Sequence, residues 1–512
     1  MKVVVTFFCL IFSISFGFAQ TVTQGPVVGA VTSDAASMLF FTDMPCKGEL
    51  QLSAKPDFSY ILAFPFQTNE TLVASLQLSG LMPATVYYYK VIIAGEEQTP
   101  HGSFATFAAS GDRSPFTFTL GSCTEQRHND SIFLQMQAHQ PAFFLHLGDW
   151  LYTHHFKEEK FYYTQSMEHQ KELYRKRYEM PNLKKLLQTT PVDFVYDDED
   201  GVYDDFSATS YTDLKMNGNK TDMQEVAFPD SLRRTLKEGW KAYFPGYPSA
   251  DSGEVYHSFV YGNAEFFFLD TRSGRSPNSE VFQQKKNGKW KYKVPENHHL
   301  LDTAQLRWLQ ERLQVSTADW KFIVSGVTFN QSYKKVLDIA LRAQHKTLPN
   351  GMTGAYVAAS LATMWFAFPE TQTQLLNFCH DNKIKNVVVL SGDAHTAAID
   401  DGENAGFPEL MAGGLAQQNS KLAAIIKNNL RLNLWNRGGQ GIGNDNFFDA
   451  FGKVTVHGKE SVTLSAVDKY GTEICSYKLK DGFIPHTYKL KPRTKMQRAR
   501  ALKNLLRIAL RN

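Results

Sequence analysis

The sequence contains few cysteines, almost equal numbers of acidic and basic residues, and few long apolar runs. Only 5 of the 512 residues are cysteines, and Cys46, Cys123, Cys379 and Cys475 are too scattered for a disulfide scaffold, although a single bridge stays open. A net charge of +3 indicates no particular partner, and no nucleic-acid-binding module is evident. Beyond the N-terminus, no run approaches the roughly 20 apolar residues that a membrane-spanning helix needs.

The N-terminus has the form of a secretory signal peptide. Lys2 supplies a positive charge, residues 3–18 form an apolar run, and small residues stand at the cleavage-type positions. The run is short for a spanning helix, and Cys9 lies within it rather than after a cleavage site, which argues against a lipoprotein anchor. We therefore expect residues 1–19 to be removed and the mature protein to be secreted or periplasmic.

The length of the chain predicts two domains. Residues 20–110 are predicted to be all-β, because short alternating runs are separated by Gly, Pro, Asp and Asn. Residues 81–89 match the L-x-P-x-T-x-Y-x-Y pattern of fibronectin- and immunoglobulin-like sandwiches, in which a Tyr hydroxyl bonds to the backbone at a strand corner. Residues 108–114 are small and polar and predict a linker.

From residue 115 to 480 the pattern changes to buried strands that alternate with helical segments. Helical spacing is present over 304–313 and 371–379. Alternation of this kind predicts a layered α/β domain. Strands are predicted at 116–120, 143–147, 192–196, 265–269, 322–324, 386–390, 454–456, 461–466 and 473–479.

The C-terminal tail, residues 484–512, is basic and has helical spacing. No acidic residue occurs from Lys489 to Arg511, and apolar residues such as Leu502 and Leu506 share one helical face. A helix of this kind could make peripheral contact with an anionic membrane surface. It could equally pack on its own domain and leave a solvated basic face. The sequence leaves both interpretations open.

Polar residues able to bind metal or phosphate follow most of the predicted buried strands. In open α/β sheets, ligands bind in the crevice beyond the carboxyl ends of the strands. One Asp after a strand is an ordinary turn or helix cap, but five junctions rich in Cys, Asp, Tyr and His predict a shared site. The junctions are Gly121-Ser122-Cys123, Gly148-Asp149-Trp150-Leu151-Tyr152, Asp197-Asp198-Glu199-Asp200, Asp270-Thr271-Arg272 and Ser391-Gly392-Asp393-Ala394-His395.

The donor set indicates which metals fit. Asp393 and His395 are two residues apart, so on an extended backbone both would project toward one ion. Carboxylates, imidazole and thiolate together suit iron, manganese, zinc or calcium better than copper. Arg272 and Arg275 could bind phosphate oxygens or form structural salt bridges. His257 has no partner pattern near it in the sequence.

The catalytic region resembles the alkaline phosphatase D, or PhoD-like, family of metallophosphoesterases. The five junctions, together with Tyr174-Arg175-Lys176-Arg177-Tyr178 and Gln305-Leu306-Arg307-Trp308-Leu309, fall in the family's order over residues 115–470. The resemblance implies a calcineurin-like four-layer β-sandwich, two mixed sheets flanked by helices, preceded by an all-β sandwich. It implies hydrolysis of phosphate mono- or diesters by a metal-activated water or hydroxide.

The resemblance also implies the ligands. Cys123, Asp149 and Tyr152 would bind a ferric ion, and Asp149 would bridge to calcium, with zinc or manganese as alternatives. The remaining ligand positions fall on Asp198, Asp393 and His395. The catalytic positions fall on Asp198, Glu199 and Arg272.

The sequence departs from the family pattern at Glu199. The family reads Trp-Asp-Asp-His-Asp where this chain has Tyr196-Asp197-Asp198-Glu199-Asp200. In related enzymes the His acts as general acid or contacts the phosphate. Glu199 could replace it if its pKa were raised, His154 or His155 could substitute, or activity could be weakened or directed to a different leaving group.

Three functions therefore stay open. The first is an exported monomeric phosphoesterase of the alkaline phosphatase or phosphodiesterase type. The second is a non-catalytic metal- or phosphate-binding pseudoenzyme, because of Glu199. The third is a surface adhesion protein, which would leave the strand-end junctions without a purpose and ranks last.

Overall fold

The computed structural model describes ten stretches of the chain. The predicted signal peptide, His154, His155 and nearly all of the basic tail lie outside them, and the predictions for those residues stay predictions. Within the described stretches, no helix combines the length and the apolar character needed to cross a membrane. The described residues are 20–125, 131–152, 166–201, 205–212, 225–227, 229–248, 254–346, 353–415, 432–440 and 448–485.

Seven antiparallel strands form the N-terminal region. They make two sheets, ordered β1-β2-β5 and β4-β3-β6-β7. The Tyr87 hydroxyl accepts a hydrogen bond from the Met82 N–H at 3.0 Å, the kind of strand-corner contact expected from the tyrosine pattern. The strands are β1 Val22–Gly29, β2 Ala35–Thr42, β3 Lys47–Ser53, β4 Leu62–Gln67, β5 Val73–Ser79, β6 Val86–Ile93 and β7 Glu96–Ala105.

The first of two larger sheets has six strands in the order β10-β9-β8-β21-β22-β23. Its β8, β9 and β10 are parallel neighbours, whereas β21, β22 and β23 are antiparallel. These strands are β8 Phe116–Gly121, β9 Phe144–His146, β10 Val192–Phe194, β21 Ala450–His457, β22 Ser461–Asp468 and β23 Glu473–Lys480.

The second sheet also has six strands, in the order β13-β14-β17-β18-β20-β19. Two-stranded pairs β11-β12 and β15-β16 accompany the sheets. The strands are β11 Ser210–Thr212, β12 Glu225–Ala227, β13 His257–Tyr261, β14 Ala264–Phe268, β15 Phe282–Gln284, β16 Trp290–Tyr292, β17 Trp320–Ser325, β18 Val387–Ser391, β19 Ala397–Asp400 and β20 Glu409–Ala412.

Helices cover the outer faces of both large sheets. Helix α6 begins where the Asp302 side chain accepts the Gln305 N–H, an N-cap that satisfies a free backbone donor. The helices are α1 Ile132–Ala138, α2 Met167–Tyr178, α3 Pro181–Leu187, α4 Asp198–Gly201, α5 Asp230–Tyr243, α6 Thr303–Val315, α7 Lys334–Arg342, α8 Gly354–Leu361 and α9 Pro369–Asp381.

The two large sheets pack face to face through a core rich in aromatic residues. Phe118 of the first sheet lies 5.2 Å from Phe266 and 5.5 Å from Phe322 of the second, measured between ring centroids. The opposite sheet faces pack on helices, since Phe194 clusters with Leu236 of α5 and Ile323 clusters with other apolar helix residues. The expectation of two mixed sheets flanked by helices is confirmed.

Several predicted strands end earlier than expected at their carboxyl ends. The prediction carried two of them to residues 147 and 196, but β9 ends at His146 and β10 at Phe194. The backbone leaves the strand at these points, and the residues that follow belong to the candidate site. Apolar character alone continues past the turn and therefore overestimates strand length.

A buried ion pair links the edges of the two large sheets. His257 of β13 places Nε2 2.7 Å from Asp193 Oδ2 of β10, and its Nδ1 lies 2.8 Å from the Val255 carbonyl. Both side chains are at most 4% exposed. Burial lowers the pKa of His257, but Asp193 and the other contacts outweigh it and raise the pKa above its usual value. The absence of a partner pattern in the sequence was misleading, because the partner lies on a distant strand.

We predict that Asp193→Asn destabilises the protein by about 3 kcal/mol at pH 6, because it leaves a buried histidine without its counter-ion. The folded pKa of His257 is raised, so the stabilisation is complete below its unfolded pKa of about 6.5 and declines as pH rises through the folded pKa. Urea unfolding at pH 6 and pH 8.5 measures this. An equal loss at both pH values would contradict the assignment.

Candidate metal centre

The strand ends converge on two overlapping groups of possible metal ligands. Cys123, Asp149 and His395 have ligand atoms within 4.8 Å of one another, and Asp149, Asp197 and Asp198 form a second such group. The parallel strands β8, β9 and β10 bring the carboxyl ends before Cys123, Asp149 and Asp197 to one sheet edge. Asp149 belongs to both groups, so it lies where a bridging ligand is needed.

Four of the predicted ligands have left-handed backbone conformations. The φ angles are 62° at Cys123, 59° at Asp149, 65° at Asp393 and 47° at His395. Such a conformation costs a non-glycine residue about 1–3 kcal/mol and persists only where the surroundings enforce it. Fourteen non-glycine residues of the described chain have a positive φ, and four of them are candidate ligands; strain at such positions is a feature of functional sites.

The turn before Asp149 requires glycine. Gly148 has φ 104°, and a Cβ at this position would lie 2.5 Å from the Asp197 Cβ. Contacts that close do not occur between real side chains, so any larger residue would separate the two loops. Gly148 therefore permits the close approach of Asp149 and Asp197.

The left-handed turns also correct one prediction. Asp393 and His395 do not share a side of an extended strand, because β18 ends at Ser391 and the Ala394 N–H donates to the Gly392 carbonyl at 2.8 Å in a tight turn. His395 groups with Cys123 and Asp149, whereas Asp393 belongs to neither three-residue group.

Cys123 and Tyr152 both contact the shared ligand region. The Tyr152 hydroxyl donates to Asp149 Oδ2 at 3.0 Å. The Cys123 Sγ lies 3.1 Å from Ser122 Oγ, which also accepts the Asp393 N–H at 3.2 Å. Burial raises the pKa of the Cys123 thiol to about 11. A bound cation would be needed to hold this side chain as a thiolate at neutral pH.

The buried carboxylates repel one another. Burial, then Cys123 and Asp198, raises the pKa of Asp149 well above its usual value. Burial, then Asp198, does the same for Asp393. Asp197 Oδ2 is buried and accepts no hydrogen bond from the described residues. A cation would offset the repulsion and occupy the open carboxylate oxygen, so the residues present fit a metal centre.

Arg272 is fully buried among these carboxylates. It donates to Asp197, and its Nη1 lies 3.2 Å from Asp198 Oδ2 and 3.3 Å from Asp205 Oδ1. Its Nη1 also donates to Thr363 Oγ1 at 2.8 Å. The contacts of Arg272 with the three aspartates are structural salt bridges, one of the two roles expected for this arginine.

The same arginines retain donors for a ligand. Arg272 Nη2 and the Nε and Nη2 of Arg275 are buried and donate no hydrogen bond within the described part of the chain. Arg275 Nη1 donates to Thr363 Oγ1 at 2.7 Å, which fixes its guanidinium next to that of Arg272. Two adjacent guanidinium groups with open N–H donors suit an anion with several oxygens.

Glu199 lies next to the candidate ligands. Glu199 is the second residue of α4 and is 7% exposed. Its backbone N–H donates to Asp198 Oδ1 at 3.0 Å and is 3.4 Å from Asp149 Oδ1. The position predicted for the general acid is therefore close to the shared carboxylate, and its role stays a prediction.

Three further acidic residues lie near the site, and the sequence analysis did not assign a role to any of them. Asp197 belongs to a ligand group, and Asp205 donates its N–H to Asp198 Oδ2 at 2.8 Å. Glu409 accepts hydrogen bonds from Thr328 Oγ1 at 2.7 Å and from Ser391 Oγ at 2.6 Å, at the end of the strand that precedes Asp393. Burial raises the pKa of Glu409 to about 7. Asp197 stood in the quoted motif, but neither Asp205 nor Glu409 gave any local signal.

Comparisons with known proteins identify the family of this chain. Residues 118–437, more than half of the 512-residue chain, match the PhoD-like phosphatase family. The chain is 26% identical over 342 residues to alkaline phosphatase D of Bacillus subtilis (strain 168), a match that covers 63% of this chain and 53% of the relative. The chain thus spans about half the length of the curated relative that it matches.

Two solved structures share the fold. A structure of PhoD matches with a TM-score of 0.64 at 17% identity and covers 94% of this chain and 97% of that one. A purple acid phosphatase from yellow lupin (Lupinus luteus) seeds matches with a TM-score of 0.55 at 10% identity and covers 89% and 74%. The chain belongs to the PhoD-like phosphatase family.

Proposed function

We propose that this protein is a metal-dependent phosphoesterase that hydrolyses phosphate mono- or diesters. The observation that supports it most is the position of Asp149 in two ligand groups at once. Two cations that share one carboxylate are a common arrangement in enzymes that displace groups from phosphorus. The predicted reaction class, hydrolysis of phosphoric esters, agrees with the family match.

Each half of the centre has a donor set suited to a different ion. Cys123, Tyr152, His395 and one oxygen of Asp149 would hold the first ion, which we propose to be ferric iron, with zinc or manganese as alternatives. The second ligand group around Asp149 consists of carboxylates, which suit calcium or another divalent cation. The oxygen ligands for that second ion would come from Asp149, Asp197 and Asp198, with Asp393 beside them.

When bound, such cations polarise phosphoryl oxygens and lower the pKa of bound water to near neutrality. The chain's own residues orient the substrate. Arg272 and Arg275 would donate their open N–H groups to phosphate oxygens. Glu199, which is 7% exposed and whose backbone N–H lies 3.4 Å from Asp149 Oδ1, would donate a proton to the leaving oxygen.

The pseudoenzyme remains the second candidate, because Glu199 stands where the family has histidine. The remaining predictions are part of the same proposal. We propose export after removal of residues 1–19, a monomeric protein, a fibronectin-like sandwich over 20–110, and peripheral membrane contact through the basic tail.

Metal analysis combined with turnover separates the three functions. We expect purified protein to contain iron and a second cation, to hydrolyse bis-p-nitrophenyl or p-nitrophenyl phosphate, and to lose turnover on chelation. Bound metal without turnover would favour the pseudoenzyme. Protein that binds no metal would contradict both and favour adhesion.

We predict that Asp149→Asn lowers turnover at least about 100-fold, because both ions lose a ligand. The metal-free variant should be no less stable than metal-free wild type, since a repelled buried carboxylate is removed. Activity assays and thermal melts measure the two effects. Asp381→Asn, whose side chain is 74% exposed on α9, is the control. Unchanged turnover in Asp149→Asn would refute the site.

Variants at Glu199 test the general acid. If Glu199 donates the proton, Glu199→Gln should lower kcat about 100-fold or more, and Glu199→His should retain most of it. The loss should be smaller for p-nitrophenyl esters than for alkyl esters, because p-nitrophenolate leaves without protonation. An inactive wild type that gains turnover in Glu199→His would instead identify a pseudoenzyme.

A further inference from the structure

One buried carboxylate that the proposed ligand set does not use lies between the ligand-bearing loops. Asp200 is 2% exposed. Its Oδ2 accepts the backbone N–H groups of Asp149 and Asp197, each at 3.0 Å, and its Oδ1 accepts the Leu151 N–H at 2.7 Å. A single side chain therefore satisfies three backbone donors on two loops.

These three hydrogen bonds join the segments that follow β9 and β10. Asp149 and Leu151 lie after β9, and Asp197 lies after β10. The φ of 59° at Asp149 is a conformation that the surroundings must enforce, and a hydrogen bond to its own N–H restrains it directly. The carboxylate of Asp200 thus acts on the backbone of two residues in the ligand groups.

A buried cation lies near Asp200: burial raises the pKa of Asp200 well above its usual value, and attraction to Arg177 opposes that rise. Arg177 of α2 is fully buried, and attraction to Asp200 opposes the effect of burial on the pKa of Arg177. Arg177 also donates to the Thr124 carbonyl, next to Cys123. Asp200 and Arg177 together therefore contact the backbone of the three loops that carry Cys123, Asp149 and Asp197.

We propose that Asp200 is a positioning residue for the metal centre: through three backbone hydrogen bonds it holds Asp149 and Asp197 at the separation that lets them bind cations together. This inference rests on the proposed function, because it assigns a role at the same site. An Asn at this position would keep one acceptor oxygen, but its amide would face a backbone N–H, donor against donor.

The test compares Asp200→Asn with Asp400→Asn. Asp400 is also buried, and its Oδ1 accepts the Gly402 and Asn404 N–H groups at 2.9 and 3.0 Å. It lies at the far edge of the second sheet, opposite Glu409 at the start of β20. One substitution therefore removes a buried carboxylate that binds the backbone of the ligand loops, and the other removes a buried carboxylate that binds backbone at Gly402 and Asn404.

Mn²⁺ is added to the metal-free full-length protein, and unbound Mn²⁺ is counted by electron paramagnetic resonance. We expect Asp200→Asn to bind Mn²⁺ about 10–100-fold more weakly than wild type, the usual effect of losing a partner that orients metal ligands. Asp400→Asn should stay within about threefold of wild type at a similar loss of thermal stability.

Equal Mn²⁺ affinity in wild type and Asp200→Asn would overturn the inference and leave the proposed function intact. The same holds if Asp400→Asn loses as much affinity as Asp200→Asn. Wild type that binds no Mn²⁺, iron or calcium would overturn both. If Asp200→Asn does not fold, Asp200→Glu, which keeps the charge but displaces both oxygens by one methylene, is judged by the same criteria.

Discussion

Electrostatic repulsion among buried carboxylates is the constraint on which the candidate site depends. Asp149, Asp197, Asp198 and Asp393 lie close enough to shift one another's pKa, and burial removes the water that would screen them. Arg272 offsets part of this charge through its contacts with several of them. A cluster of this kind is costly to fold unless cations complete it, and hydrolysis of phosphate esters uses such cations directly.

The fold offsets the free-energy cost of this repulsion by fixing the strand ends in place. Two six-stranded sheets pack face to face through rings such as Phe118 and Phe266, and helices cover their outer faces. Because a packed core resists displacement, the sheet edge can hold the left-handed turns at Cys123 and Asp149. Packing of the core thus stabilises a fold that keeps repelling groups together. Loss of some stability in return for function is common in proteins.

The sequence predicted most strands and the junctions that carry the candidate ligands, because apolar runs and the polar residues after them are local features. The strand at 386–390 is observed as Val387–Ser391, and Cys123, Asp149 and His395 do meet. The prediction that Asp393 and His395 project to the same side was wrong. Side chains two residues apart share a side only where the backbone is extended, and both residues have a left-handed backbone. His257 with Asp193, and Glu409 with Ser391, could not be predicted because each pair joins residues far apart in the chain.

The most direct measurement of the shared ligand is the number of metal ions bound per chain in wild type and in Asp149→Asn, determined by elemental analysis after dialysis. A carboxylate that belongs to both ligand groups predicts two ions in wild type and the loss of both in the variant. Loss of neither ion, or of one alone with the other bound at full affinity, would contradict a centre built around Asp149.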